Sequence, residues 1–243
     1  MARAQSLPGA AVLIFASALC AFVAPACAET QTYQYEVEHP TFGHIGTYTN
    51  IIEQSGDRTY VVSVLHVAVR LLGIPVYRQD ATRSEDWRNG RLVAFHGVTT
   101  TNGTSVDVAG EAHGNTFVIT TPDGTTLAPA DVRTSNPWSP TFLGAHVVMS
   151  TKSGRIEDVR ISGGGETPVT FDGKTQTLRQ YLINGEKPGI VWLDNRNVPI
   201  AFKVWEDGTP IQLVLISPAV PLRRTAMQTQ YEPPDGTVNR PVR

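Results

Sequence analysis

Two-residue turn signals recur along this chain at a nearly constant interval. They fall at Asn89-Gly90, Asn102-Gly103, Gly114-Asn115 and Asp123-Gly124, and again at Asp172-Gly173, Asn184-Gly185, Asp194-Asn195 and Asp207-Gly208. Asn-Gly and Asp-Gly supply the positive φ angles that tight hairpin turns need. Turns at this spacing leave room for one short strand between neighbours, so they predict an antiparallel meander with almost no helix.

The segments between the turns alternate apolar and polar residues, as expected for strands with one buried face. We predict an all-β fold in which the meander forms a strongly curved sheet or a partly open β-barrel. In the segment 92–101, strict alternation puts Leu92, Ala94, His96 and Val98 on one face and Val93 and Phe95 on the other.

A proline-containing segment, 125–145, interrupts the rhythm of turns. Ser139 followed by Pro140 is typical of a helix N-cap and first position, so we predict one short helix over 140–145. The segment either connects two halves of one sheet, 29–124 and 146–217, or plugs one end of it.

The N-terminus has the features of an export signal. Arg3 precedes an apolar run over 10–23, and Ala26-Cys27-Ala28 fits the small-residue rule of signal peptidase. We expect residues 1–28 to be a signal peptide cleaved near Ala28, residues 29–217 to form a single β domain, and the proline-rich tail 218–243 to be extended or disordered. The mature protein is then periplasmic or secreted. An uncleaved anchor helix and a lipid-modified Cys27 are the alternatives.

The mature chain carries no strong charge and no thiol. It has 19 basic and 22 acidic residues, a net charge of −3 with neutral histidines, and both cysteines lie in the leader. Such a chain has no basic field to attract nucleic acid, so we predict no nucleic-acid partner. Without a disulfide in an oxidising compartment, the core must supply the stability.

The most apolar stretch of the mature chain, 61–77, is interrupted by His66 and Arg70. Its uninterrupted part is too short to cross a ~30 Å hydrocarbon core as a helix, so we predict no transmembrane span in the mature chain. Its many valines favour a long twisted strand, with Val67 and Val69 on the face opposite His66 and Arg70.

The next segment, 77–87, is charged on both faces. Arg78 and Asp80 alternate with Arg83 and Glu85, which places the two pairs on opposite faces. The pattern fits a strand at an exposed sheet edge or one that borders a wet cleft.

The sequence contains none of the common catalytic or metal-binding motifs. The six histidines are scattered without ligand spacing. We therefore predict no catalytic residue, no metal site and no cofactor.

Several polar and aromatic side chains could instead line a groove. His66, Arg70, Arg78 and Asp80 could hold a headgroup or carboxylate, and large aromatic residues could bury an apolar chain. Alternatively, Arg70 forms an ion pair with Asp80 or Glu85, and the aromatic residues pack in the core. The predicted ligand-binding residues are His66, Arg70, Arg78, Asp80, Trp87, Trp138, Tyr181 and Trp192.

Four segments of the chain, HPTFGHIGTYTN (39–50), LHVAVRLLGIPVYRQD (65–80), WRNGRLVAFHGVTTTNG (87–103) and SNPW (135–138), resemble a bacterial domain-of-unknown-function family of exported proteins. The resemblance implies a signal-bearing all-β domain and supplies no catalytic residues. The second half, with GIVWLDNRNVPIAFKVWEDGTPIQLVL, is loosely similar to open barrels of the cell envelope that carry lipoproteins or lipids.

Three functions follow as hypotheses. The first is a module that binds or carries a lipid or other hydrophobic or amphipathic small molecule. The second is a structural or interaction protein of the envelope, with a protein partner and no small ligand. The third is a hydrolytic enzyme that uses His66 with Asp80.

Cleavage near Ala28 predicts the mass of the exported protein. Intact-mass spectrometry of the chain expressed in a Gram-negative host with its own leader should give the mass of residues 29–243. A mass that includes the leader would support an anchor helix, and one that begins at Cys27 with added acyl chains would support lipidation.

Overall fold

The computed structural model describes residues 29–171 and 173–217. Within them the chain forms sixteen strands and one short 3-10 helix. The predicted signal peptide, 1–28, and the predicted proline-rich tail, 218–243, lie outside the described residues. No helix among the described residues is long and apolar enough to cross a bilayer.

Thirteen of the strands form one antiparallel sheet. They are β1 (Glu29–His39), β2 (Gly43–Ser55), β3 (Arg58–Leu71), β4 (Ile74–Arg88), β5 (Arg91–Thr101), β6 (Thr104–His113), β7 (Thr116–Thr121), β8 (Gly124–Pro129), β12 (Arg160–Phe171), β13 (Lys174–Asn184), β14 (Gly189–Leu193), β15 (Pro199–Glu206) and β16 (Thr209–Ser217).

The sheet is a meander cut in the middle of its sequence. Strands β1 to β8 follow one another in space, as do β12 to β16, and the two runs join because β16 pairs antiparallel with β1. In the described part of the chain, β8 and β12 are the two edges and do not pair with each other. The sheet is therefore curved and barrel-like but not closed, which confirms the predicted fold class.

The segment between β8 and β12, residues 130–159, is the central connection, and it forms a second, small sheet. Its strands are β9 (Arg133–Thr134), β10 (Val147–Met149) and β11 (Ile156–Asp158), with β9 parallel and β11 antiparallel to β10. The 3-10 helix Pro140–Gly144 lies between β9 and β10, and the Ser139 side chain accepts a hydrogen bond from the Thr141 N–H, so the predicted capped helix is confirmed.

The main core lies on the inner face of the curved sheet. Tyr35 on β1 packs against Phe202 on β15, with ring centroids 5.1 Å apart, and its hydroxyl donates to the Pro199 carbonyl at 3.0 Å. Burial raises the pKa of Tyr35 well above its usual value. These contacts join the N-terminal and C-terminal runs of strands across the interior as well as along the β1–β16 ladder.

Strict alternation is wrong for the start of β5. Leu92 and Phe95 are both buried, although period-two alternation puts them on opposite faces. The β4–β5 register shifts between Asp86 and Trp87, so that Asp86 pairs with Ala94 and Trp87 with Leu92. The β-bulge adds one residue to β5, which turns both side chains inward.

Segment 77–87 belongs to β4, which lies between β3 and β5 and is not an edge strand. The prediction of an exposed edge is therefore wrong. The charged inner face of this strand must find its partners inside the molecule.

Gly46 should tolerate no side chain, because a Cβ there would collide with the backbone carbonyl of His66 on β3. We expect Gly46→Ala to lower the free energy of unfolding by about 1–3 kcal/mol, as measured by urea unfolding. Gly165→Ala is the matched control, since a Cβ at Gly165 meets nothing within 4 Å. Equal stability of the two variants would contradict the β2–β3 packing.

Candidate ligand-binding cavity

A cavity of about 640 Å³ lies inside the curved sheet, beneath the central connection. Residues from both runs of strands line it, among them Val37 on β1, Leu65 on β3 and Leu213 on β16. The connection supplies the remaining wall with Pro137, Phe142, Val148, Ser150 and Thr151.

Apolar side chains form most of the cavity wall. On β3, alternation turns Leu65, Val67 and Val69 inward, and Ile211 and Phe202 face them from β16 and β15. These are the β-branched and large apolar residues that favour strands. The same pattern that builds the sheet therefore builds an apolar lining.

One opening of the cavity lies at the end of the sheet that carries the β1–β2 and β3–β4 turns. Phe42 and Val76 line the cavity and are 45% and 52% exposed. The tip of the β3–β4 hairpin projects there, with Leu72 at 96% exposure and a positive φ of 52°. The entrance is thus bordered by exposed apolar side chains.

Arg83 is the charged residue in the buried part of the lining. It lies on β4 with 8% of its surface exposed, and burial lowers the pKa of its guanidinium. Its Nη2 donates to the Thr99 hydroxyl at 3.4 Å, whereas its buried Nε–H has no acceptor. Arginine remains protonated even so, so the cavity contains a cation that is short of partners.

Glu85, two residues further along β4, has no exposed surface and is fully supplied with donors. Its Oε2 accepts hydrogen bonds from the indole N–H groups of Trp87 at 2.9 Å and Trp138 at 2.8 Å. Its Oε1 accepts from the Thr134 hydroxyl at 3.1 Å and the Asn136 amide at 3.3 Å. Burial raises the pKa of Glu85, and the four hydrogen bonds oppose that shift.

Three of these four donors belong to the connection, so Glu85 holds that segment inside the sheet. Asn136 extends the network, because its amide also donates to Asn50 Oδ1 at 3.1 Å and to the Ser63 hydroxyl at 2.9 Å. Asn50, Ser63 and Asn136 are all buried. The SNPW segment is therefore fixed to β2, β3 and β4 by side-chain hydrogen bonds.

Tyr48 on β2 lies beside this network and also lines the cavity. Burial raises its pKa to about 12, so the hydroxyl stays protonated at neutral pH and can donate a hydrogen bond.

Four of the residues predicted to bind a ligand lie on the outer face of the sheet and do not line the cavity. His66 pairs with Asp80, Nδ1 to Oδ1 at 2.5 Å, and Arg78 Nε donates to Asp80 Oδ2 at 2.6 Å. Hydrogen bonds from Arg78 and His66 lower the pKa of Asp80. Arg70 donates to the Gly73 carbonyl at 3.3 Å and pairs with neither Asp80 nor Glu85, so the ion pair considered for it is not formed.

The four predicted aromatic residues belong to two apolar clusters: Trp87, Trp138 and Tyr181 to the main core, and Trp192 to a smaller one. Trp87 and Trp138 meet edge-to-face, with centroids 5.9 Å apart, beside Glu85. Tyr181 packs against the main core, and Trp192 packs against Phe171 in a separate cluster, with centroids 5.8 Å apart. None of the four lines the cavity.

Sequence reasoning therefore did not select Arg83, Tyr48 or Glu85 as site residues. Alternation separated Arg83 and Glu85 from Arg78 and Asp80, and the structure confirms that separation. The useful signal was that Arg83 and Glu85 share a face with Ala81 and Trp87, which are apolar and buried.

The described residues also bring Glu36, Glu38 and His44 together on β1 and β2, with candidate ligand atoms within 4.8 Å of one another. His44 Nδ1 lies 3.4 Å from Glu38 Oε1. All three are at least partly exposed, and the pairing is that of a surface ion pair.

An open antiparallel barrel defines the structural class of this chain, and a solved barrel-like structure resembles it. The chain is similar to the crystal structure of a beta-barrel-like protein of the domain of unknown function DUF1849 from Brucella abortus. The TM-score is 0.59 at 10% sequence identity, over 79% of this chain and 98% of that one. This similarity shows the fold.

The chain belongs to the family described as domain of unknown function DUF6134, whose model matches residues 42–216. No curated protein matches the sequence. The matched range includes β2 to β15 and all the hydrogen-bond partners of Glu85.

Replacing Glu85 by glutamine should destabilise the fold, because the amide N–H₂ would face donor groups that now meet a carboxylate oxygen. We expect Glu85→Gln to lower the free energy of unfolding by about 1–3 kcal/mol in urea. Glu53→Gln, at an exposed position on strand β2, should change it by less than about 0.5 kcal/mol. No difference between the two would contradict the role given to Glu85.

Proposed function

We propose that this protein binds a hydrophobic or amphipathic small molecule inside the sheet and carries it in the cell envelope. The observation that supports this is the cavity of about 640 Å³, whose walls are mostly apolar. Ligand sites are concave and mostly apolar, with volumes of roughly 300–1,000 Å³ and a small number of placed polar groups.

The size of the cavity favours a ligand over a packing defect. Protein interiors are close-packed, and the voids within them are usually no larger than a few water molecules. Here Leu65, Val67 and Val69 face a space many times larger. A guest with an apolar chain would remove their surface from water.

The entrance also suits such a guest. Phe42 and Val76 at the opening, and Leu72 and Ile74 at the hairpin tip, are exposed apolar side chains. An amphipathic molecule could enter the cavity past these side chains.

Location in the envelope is part of this proposal and is supported by the sequence. Residues 1–28 have the pattern of an export leader, and residues 29–243 contain no cysteine. A carrier between membranes would need export, which such a leader directs.

The other two hypotheses remain predictions. His66 and Asp80 do meet, as a hydrolytic pair would, but on the outer face, where the His66 side chain is 54% exposed. A protein partner in place of a small ligand would leave the cavity without a role, so the cavity favours the carrier hypothesis.

Filling the cavity should weaken the binding of a neutral apolar probe, N-phenyl-1-naphthylamine. The fluorescence of the probe measures its binding. We expect Leu65→Trp, which points inward, to weaken binding at least about tenfold because the indole occupies the space of the probe. Val64→Trp on the outer face of the same strand should bind as the wild type does.

Circular dichroism of both variants checks that the sheet is intact. A wild-type protein that does not bind the probe, or equal loss in the two variants, would overturn the proposal.

A further inference from the structure

Arg83 and Glu85 point to the same side of β4 and are both buried, yet they are not partners. Glu85 accepts four hydrogen bonds from Trp87, Trp138, Thr134 and Asn136. Among the described residues, no carboxylate lies within 4.0 Å of the Arg83 guanidinium. The acid is fully supplied with donors, whereas the Arg83 guanidinium has only the Thr99 and Tyr48 hydroxyls beside it and keeps one N–H without an acceptor.

The residues around Arg83 hold its side chain in place but do not supply acceptors for all of its N–H groups. A Cβ at Gly97 on β5 would lie 3.1 Å from Arg83 Cγ, so glycine there makes room for the aliphatic part. Beyond it, the Thr99 hydroxyl accepts one long hydrogen bond, and Nε has no acceptor. A guanidinium has five N–H donors, and leaving them unpaired inside a protein is costly.

The strand register places Arg83 at the inner end of the cavity. On β3, Ser63 pairs with Arg83, and the cavity-lining residues Leu65, Val67 and Val69 pair with successive positions of β4 that approach the entrance. Val76, at the entrance, is seven residues from Arg83, roughly 23 Å at about 3.3 Å per residue. An apolar tunnel therefore leads to a single buried cation.

We propose that Arg83 anchors the carboxylate of a long-chain amphiphile, which enters head first and lays its chain along Leu65, Val67 and Val69. This assignment rests on the proposed function, since it names the class of molecule that the cavity takes. The protonated Tyr48 hydroxyl, which also lines the cavity, is placed to donate to the same headgroup.

Charge and shape favour a carboxylate over other headgroups. The planar guanidinium matches a carboxylate in a two-pronged hydrogen bond, and one positive charge suits a monoanion. Three further lysines line the cavity. Lys152 and Lys187 already share Glu206, at 3.8 and 3.9 Å. Lys203 lies over the Trp192 ring at 5.7 Å, and it pairs with Gln212, which pairs with Glu38 near the β1–β2 turn, so it lies toward the entrance and not beside Arg83. A dianionic phosphate would find no second free cation beside Arg83 in the described part of the cavity.

A comparison of two ligands with chains of the same length, one with a carboxylate head and one with a neutral head, distinguishes the proposed anchor from general apolar binding. Competition against bound N-phenyl-1-naphthylamine measures the affinity of palmitate and of hexadecanol for the wild-type protein. We expect palmitate to bind about tenfold or more tightly, because hydrogen bonds to a charged group are stronger than those to a neutral one.

Substitution of the arginine tests the same preference. In Arg83→Met the side-chain volume is largely kept and the charge is lost, so palmitate should lose its advantage over hexadecanol and bind no more tightly than the alcohol. Arg78→Met, on the outer face of the same strand, should keep the wild-type preference. Since the Nε–H has no acceptor to lose, we expect Arg83→Met to fold, which circular dichroism verifies.

The possible failures differ. Equal binding of palmitate and hexadecanol by the wild-type protein would overturn the anchor and leave the proposed function intact, and this comparison does not depend on the variant folding. A preference that persists in Arg83→Met would also overturn it. A wild-type protein that binds neither ligand nor the neutral probe would overturn both.

Discussion

The buried Glu85 carboxylate is the constraint on which the arrangement of this protein depends. A charge without solvent exposure costs several kcal/mol unless its hydrogen bonds are supplied, and here four donors supply them. Three of those donors, on Thr134, Asn136 and Trp138, come from the central connection. The connection must therefore lie inside the curved sheet and not over its edge.

That placement produces the cavity. The connection covers one side of the space between β1–β4 and β14–β16, and its Phe142 and Val148 continue the apolar wall. From Arg83 toward the β4–β5 turn, the inner face of β4 is occupied by the Glu85 network. From Arg83 toward the β3–β4 turn, the same face is open to the cavity. The inner face of β4 thus changes from a packed, hydrogen-bonded core to the wall of the cavity within a few residues.

Much of the fold could be predicted from local pattern, because hairpin turns and alternation are properties of neighbouring residues. The dipeptides Asn89-Gly90, Asn102-Gly103, Gly114-Asn115 and Asp207-Gly208 are two-residue hairpin connections, whereas Asn184-Gly185 and Asp194-Asn195 lie at connections of four and five residues. The capped helix at Pro140 was identified correctly. The inward rotation of both Leu92 and Phe95 could not be predicted, because it depends on a bulge set by the pairing of β4 with β5. The predicted ligand residues His66, Arg70, Arg78 and Asp80 were chosen because they interrupt apolar segments, and the structure places them on the outer face.

The sequence by itself determined an antiparallel β chain, and it separated Arg78 and Asp80 from Arg83 and Glu85 by strand period. Period two assigns residues to opposite faces but does not say which face becomes concave. Only the tertiary structure decided that Arg83 and Glu85 face inward. The curvature of the sheet and the docking of the Asn136 segment, 51 residues from Glu85, arise from contacts between residues far apart in the chain.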